Sequence, residues 1–481
     1  MKQKPNILLV LVDQMRGDCL GLEQKHPVLT PVIDSIAGAG ARFTKAYSSC
    51  PTCIAARRSI LSGKQPSNHG MVGYEEGVEW QEEVTLPAIL KENGYQTYLV
   101  GRDMHQHPKR KRFGYDQMVI LNDYTKWVTG KLPDVCSASV QFHSGSPSHE
   151  TGIKHNDWTA RPWPFDEQLH PTNWTVNEAK KFFETRDPTV PWFLTVSFLA
   201  PHPPLIPPAF YMERYLRTGV TQPVIGDWAT PPENKGFGLD PGITSVQLQD
   251  EKLLSARAAY YGLINHLDDQ LRRIINPIDG ISLLNDENSG NLVNGLKRDT
   301  IVIFTSDHGE MLGDHYSWHK MLPYEGSSRI PFLVSAPDEF GIKNNTVIDE
   351  LVCLEDLMPT ILDIAGIEIP NSVDGKSLLR VLQGENEKVR EYLHMEHAPL
   401  HQTIINDSFK YIWYVEDGEE QLFDIKNDPD ELKNLADEKN CREILLKLRR
   451  VLVKELQNRP EGFSDGIKLI PGKLYRPVIP K

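Results

Sequence analysis

Pro5-Asn6-Ile7-Leu8-Leu9-Val10-Leu11-Val12-Asp13 opens on polar residues, runs apolar for six positions and stops at a carboxylate. A short, unbroken apolar run reads as a strand buried on both faces, because a half-exposed strand would alternate apolar and polar residues. Working outward, comparable runs predict strands over Tyr95 to Val100, Trp192 to Leu199, Thr300 to Phe304 and Ile330 to Val334. Between them the spacing predicts helices. Thr30-Pro31 reads as an N-cap and first-turn proline for a helix over Val32 to Ala39, with Gly40 as its stop. Further helices are predicted over Cys53 to Leu61, Pro87 to Asn93, Val176 to Thr185, Glu251 to Ile275 and Leu354 to Ala365. This alternation predicts an α/β fold built on a large, mainly parallel central sheet flanked by helices. In such sheets functional groups collect beyond the carboxyl ends of the strands. Asp13, His202 and Asp307 all fall there, which points to a single site.

Residues 205–247 are rich in proline and glycine and read as an excursion over one face. From about residue 385 the texture changes to short strand candidates, Val389 to His394, Lys410 to Val415 and Glu420 to Ile425. A long charged helix over Asn440 to Gln457 follows. The expected organisation is a catalytic domain over 1–384 and a smaller C-terminal α+β subdomain over 385–481, with no internal repeats.

The 481 residues carry a formal net charge of -13, which argues against nucleic acid as a partner, since backbone binding needs clustered positive charge. Lys109-Arg110-Lys111-Arg112 is a local exception, either a solvated loop or a positive rim for anions. The six cysteines show no paired metal-binding spacing, and nothing demands disulfides. No apolar stretch reaches the roughly 18 residues of a spanning helix, and no signal peptide is evident. The expectation is a cytoplasmic protein with no membrane partner, or a periplasmic one if a leader has been removed.

The second informative stretch is Cys53-Ile54-Ala55-Ala56-Arg57, continuing to Ser62-Gly63. Four residues on a helix put Cys53 and Arg57 on one face. Taken with Asn6-Ile7-Leu8 through Asp13, Thr30-Pro31, Arg42-Phe43, Gly94-Tyr95, Pro201-His202, Ser306-Asp307-His308-Gly309-Glu310, Gly313-Asp314-His315 and Leu422-Phe423-Asp424, it closely resembles the formylglycine-dependent sulfatases of the alkaline-phosphatase-like superfamily. The resemblance covers nearly the whole chain. The family's C-x-P-x-R motif appears with Ala55 at its third position, a variant that resembles sites accepted by the anaerobic type of maturase.

The resemblance implies that a formylglycine-generating maturase oxidises Cys53, that the aldehyde hydrate attacks the sulfur of a sulfate ester, and that the second hydroxyl then helps to expel sulfate. A neutral hydroxyl is a weak nucleophile, so a cation and a base must stand beside it. Asp13, Asp307 and His308 match the family's metal positions, with Cys53 facing the ion. Gln14 stands where many members have a second aspartate, as a ligand or as an amide orienting one. The implied cofactor is one divalent cation, calcium in most members, with manganese or zinc favoured more than usual by the imidazole. Arg57 would fix the hydrate, and Lys320 would bind the sulfate. His202 would protonate the leaving oxygen or contact the sulfate, as a histidine near neutral pH can. The family's glycine-lysine-aromatic-histidine stretch is altered to Gly101-Arg102-Asp103-Met104-His105-Gln106-His107. Arg102 would clamp sulfate in place of the lysine. His105 or else His107 would be the base, and Asp103, His107, Trp318 and His319 are candidates for contacting substrate. The implied substrate is a small sulfated molecule, a saccharide by family expectation. Hydrolysis of phosphonate monoesters or phosphodiesters is the alternative within the superfamily, and an inactive sulfo-sugar-binding protein is the alternative outside enzymes.

Overall fold

The computed structural model describes residues 4–132, 140–143, 146–149, 158–233, 244–275, 299–385 and 388–479. Cys136 and residues 234–243 of the proline-rich excursion lie outside the described residues. The strands in chain order are β1 (Asn6–Asp13), β2 (Gly40–Tyr47), β3 (Gln96–Gly101), β4 (Gln117–Ile120), β5 (Val140–His143), β6 (Ser146–His149) and β7 (Trp192–Pro201). They continue with β8 (Thr300–Ser306), β9 (Phe332–Ser335), β10 (Thr346–Cys353), β11 (Leu393–His397), β12 (His401–Ile405), β13 (Lys410–Tyr414) and β14 (Glu420–Phe423). Eight of them form one sheet in the order β10-β2-β9-β8-β1-β7-β3-β4. Every neighbouring pair is parallel except those made by the short β9, which runs antiparallel to β2 and β8. β5 and β6 form a separate hairpin.

β1 sits between β7 and β8, and its apolar run is explained by burial on both faces. Leu8, Val10 and Val12 pack into a core that includes Ala258, Tyr261 and Ile264 of the helix Asp250–Ile275. Ile7, Leu9 and Leu11 point to the other face, into a core shared with Ile60 of the helix Cys53–Ser62 and Ile361 of the helix Leu357–Ile364. The central position of β1 matters for chemistry. Parallel register pairs Val12 with Ser306, so Asp13 and Asp307 leave the sheet side by side.

Several boundaries differ from the sequence reading. Gly40 does not stop the first helix, which ends at Gly38. It begins β2 instead. A Cβ there would lie 2.1 Å from the Val334 carbonyl oxygen, so the close approach of β2 to β9 requires glycine. β2 escapes the apolar-run criterion because Arg42, Thr44 and Lys45 interrupt it. The strand expected over Ile330 to Val334 is β9, shifted by about one pair, and that expected over Val389 to His394 is β11. β4, β10 and β12 had no sequence counterpart, since each is short or mixes polar residues into the run.

β11 to β14 form an antiparallel meander covered by the helix Arg442–Glu455, whose Leu445, Leu448 and Leu452 pack on Tyr411 and Trp413. A buried lysine fastens this small sheet to the large one. Lys410 Nζ donates to Pro323 O at 2.9 Å, Glu325 Oε1 at 2.8 Å and Glu431 Oε1 at 2.6 Å. Among the described residues no helix is long and apolar enough to cross a membrane.

Candidate active site

Three local events build the site at the carboxyl edge of the sheet. β1 ends in Asp13, and the chain turns through a left-handed Gln14 (φ 68°). β8 ends at Ser306, and Asp307-His308 follow it. Cys53 opens its helix behind Thr52 as N-cap, with Arg57 one turn further on. Pairing of β1 with β8 and packing of the Cys53 helix under β1 bring all three together. Asp13, Gln14, Arg57, Asp307 and His308 are completely buried.

Arg57 cross-links the two carboxylates. Its Nε donates to Asp307 Oδ2 at 2.8 Å and its Nη2 to Asp13 Oδ2 at 2.9 Å. Nη1 donates to Asp103 O at 2.9 Å and to Ser197 Oγ at 3.1 Å. Arg102 Nε reaches the same Asp13 Oδ2 at 2.9 Å. The guanidinium groups therefore hold the Oδ2 atoms, while each Oδ1 lies on the side of His308, that of Asp307 also accepting the backbone N–H groups of Gln14 at 3.1 Å and His308 at 3.0 Å. His308 Nε2 lies 3.9 Å from Asp13 Oδ1, 3.6 Å from Asp307 Oδ1 and 3.2 Å from Cys53 Sγ. The ligand atoms of Asp13, Cys53, Asp307 and His308 all lie within 4.8 Å of one another. His308 Nδ1 donates to Gly309 O at 2.9 Å, which leaves the Nε2 lone pair directed into the cluster. Two carboxylate oxygens on the side of His308 and a lone-pair imidazole nitrogen suit a divalent cation.

Lys320 comes from a different loop. It lies between His319 (φ 66°) and Met321 (φ 79°), two left-handed residues. Met321 N donates to Pro51 O at 3.0 Å and ties this loop to the Cys53 segment. Lys320 Nζ donates to Gln14 Oε1 at 2.9 Å, to His202 Nε2 at 2.9 Å and to Cys53 Sγ at 3.2 Å. His202 follows β7, and its Nδ1 donates to Pro203 O at 2.6 Å, so Nε2 is the acceptor. Burial, then the charge of Lys320, pushes the His202 imidazole down from 6.5 to about 3, keeping it neutral.

The carboxylates are not equivalent. Burial alone would raise Asp13, but Arg102, then His202 and Arg57, hold it well below the usual carboxylate range. Asp307 lacks Arg102, and burial followed by the negative Asp13 pushes it up. Burial would also raise the Cys53 thiol, yet Lys320, His308 and Arg102 draw it well below its ordinary 9.0. Three buried carboxylates, Asp13, Asp307 and Glu310, stand against three cations, Arg57, Arg102 and Lys320. A divalent cation would leave this set positive, as a sulfate-sized anion requires.

Cys53 forms part of the floor of a cavity of about 450 Å³, also lined by Arg102, Asp103, His105, His107, His202, His319 and Lys320. Arg102 lines the cavity with two of its three nitrogens already engaged. It spends Nε on Asp13, and its Nη2 lies 3.3 Å from His105 Nδ1. The Asp103 carboxylate accepts His105 N at 2.9 Å. His107 is exposed at the rim. Trp318 departs from the sequence reading. It is fully buried, its indole N–H donates to Val246 O at 3.2 Å, and it packs on Trp158 instead of lining this cavity. Ser197 was missed. A fully buried hydroxyl within the apolar run of β7 was the signal that could have found it. Tyr74, an aromatic candidate for a pocket wall in the sequence, does line the cavity, together with Glu75 and Glu76, which no local pattern marks.

A family profile described as Sulfatase matches residues 5–367, and one described as N-sulphoglucosamine sulphohydrolase, C-terminal, matches residues 313–458. The chain is 39% identical to an arylsulfatase of Clostridium perfringens over 98% of both chains. It is 29% identical to a choline-sulfatase of Rhizobium meliloti over 90% of this chain and 83% of the relative. Its backbone superposes on the crystal structure of the phosphonate monoester hydrolase of Agrobacterium radiobacter with a TM-score of 0.76, at 24% identity over 94% of this chain and 95% of that one. With a cysteine-headed helix facing two carboxylates and an imidazole, and with a profile match spanning most of its length, the chain belongs to the sulfatase family, the sulfuric ester hydrolases of the alkaline-phosphatase-like superfamily.

Proposed function

We propose that the chain hydrolyses a sulfate monoester carried by a small saccharide, with Cys53 matured to formylglycine and one divalent cation held by Asp13, Asp307 and His308. The observation that carries this reading is the position of Cys53 Sγ. It lies 3.2 Å from both Lys320 Nζ and His308 Nε2 at a cavity floor, where a nucleophile would meet an anion and a metal together. The cation would supply Lewis acidity, and calcium is the expected ion, with manganese or zinc as alternatives. The aldehyde hydrate would supply a renewable oxygen nucleophile.

The chain's own residues divide the remaining work. Arg57 holds both carboxylates with their Oδ1 atoms on the side of His308. Lys320 binds the anionic sulfate. The Lys320–His202 pair holds a proton 2.9 Å from a neutral imidazole nitrogen, so a proton for the departing alcohol is already at hand. Arg102 acts through Asp13 and His105, with His105, or His107 at the rim as its alternative, as the base that would take the second hydroxyl's proton so that the sulfated hemiacetal breaks, sulfate leaves and the aldehyde returns. Asp103, His107 and His319 are placed to meet the alcohol portion. The cavity volume falls in the range that encloses small ligands, which supports a mono- or disaccharide over a polymer. A maturase partner and a cytoplasmic location complete the reading.

Comparative kinetics test it. Turnover of position-defined sulfated saccharides that requires oxidised Cys53, and is lost on chelation, is the expected result. Faster turnover of phosphodiesters or phosphonate monoesters would replace the reading by the superfamily alternative, a branch that the pairs Asp13-Gln14 and Asp307-His308 resemble.

A further inference from the structure

Glu310 is a buried carboxylate, 2% exposed, that does not line the cavity above Cys53. Its Oε1 accepts two backbone N–H groups, those of Leu312 and His319. Its Oε2 accepts the Gln14 side-chain amide N–H. An amide has one donor end and one acceptor end, so this bond decides which way Gln14 faces. With its nitrogen on Glu310, Gln14 turns its oxygen to Lys320 Nζ at 2.9 Å. The three hydrogens of the Lys320 ammonium are then matched one to one by Gln14 Oε1, His202 Nε2 and Cys53 Sγ. A donor chain therefore runs Lys320 to Gln14 to Glu310, every polarity set by the carboxylate at its end. Glu310 also grips the backbone of His319, the left-handed residue immediately before Lys320.

We infer that Glu310 is a positioning residue that aims Lys320 at the reacting centre by fixing the orientation of the Gln14 amide. This rests on the reading of Lys320 as the sulfate-binding cation. The pairing also explains how the chain uses an amide at position 14. A carboxylate at 14 would face the Glu310 carboxylate across a buried bond, whereas an amide converts that clash into a hydrogen bond.

The logic predicts a reciprocal rescue. In Glu310→Gln, the two backbone N–H groups claim the new amide oxygen, so its NH2 must face the Gln14 NH2. Gln14 then flips or withdraws, and Lys320 loses its acceptor. In Gln14→Glu, two carboxylates face each other. In the double variant Gln14→Glu/Glu310→Gln, the residue 310 amide donates to the residue 14 carboxylate, whose other oxygen accepts Lys320. The net charge of the pair is unchanged.

The test uses the matured, metal-loaded full chain. It reads inorganic sulfate affinity by calorimetry and kcat/KM on a sulfate ester, with melting temperature confirming that each variant folds. Each single variant is expected to weaken sulfate binding and kcat/KM by tenfold or more, and the double variant to return both to within about threefold of the parent. A Glu310→Gln variant within twofold of the parent, or a folded double variant no better than the poorer single, overturns the inference. Lys320→Met is made in parallel. If it leaves sulfate affinity unchanged, the reading of Lys320 itself fails. If it abolishes binding while Glu310→Gln is silent, only the role of Glu310 fails.

Discussion

Replacing Arg57 by methionine should cost the metal-free protein about 3–5 kcal/mol, the usual loss when one partner of a buried charge pair is removed. The structure allows a second route to that figure. Arg57 is fully buried and donates to two carboxylates at 2.8 and 2.9 Å. Hydrogen bonds to charged groups contribute about 1.5–3 kcal/mol each, so two contribute about 3–6 kcal/mol. Asp13 would keep Arg102, whereas Asp307, whose carboxyl burial and Asp13 already push up, would lose the guanidinium it pairs with. Equilibrium urea unfolding of metal-free parent and variant measures the difference, read as a midpoint shift at equal slope. Arg57→Lys should recover little, because a point-like ammonium cannot span both carboxylates and Ser197. Adding a divalent cation should narrow the gap, since the carboxylates released from Arg57 bind it more strongly than those of the parent. A loss below about 1 kcal/mol in the metal-free state would show that Arg57 is not what balances these carboxylates, and the argument for Oδ1 atoms turned to the side of His308 would fall with it.

His202 has a folded value of about 3 against 6.5 unfolded, so its contribution to stability is present above pH 6.5 and lost as pH falls toward 3. The metal-free parent should lose more stability than His202→Gln between pH 7 and pH 4.5, measured by urea midpoints; parallel losses would refute this. Lys410→Met leaves Glu325 and Glu431 buried without their cation and should cost about 3–5 kcal/mol, with faster proteolysis of the small sheet as the visible sign. Gly40→Ala places a Cβ against the Val334 carbonyl and should cost about 1–3 kcal/mol by forcing β2 from β9, read as a lowered melting temperature.

Much of the scaffold was legible because its signals are local. A short apolar run rich in β-branched and aromatic residues is too short for a buried helix and fits a strand covered on both faces, and β1, β7 and β8 carry such runs. β2 and β10 were illegible for the converse reason. They lie at or near the sheet edge, where Arg42, Lys45 and Asp349 can reach solvent or pair with one another, so their patterns are mixed.

By itself the sequence determined that Asp13 and Asp307 stand at or just beyond the ends of apolar strands and that Cys53 and Arg57 share a helix face, since strand ends and helical spacing are properties of neighbours along the chain. Only the tertiary structure decided that Arg102 turns to Asp13, that Trp318 is core and that Glu310 reaches the Gln14 amide. Those outcomes depend on the register of β1 with β8 and on left-handed backbone at Gln14, His319 and Met321. None of those three is a glycine, so no residue type announces the turn. Long-range packing sets those conformations, and with them the direction in which Lys320 points.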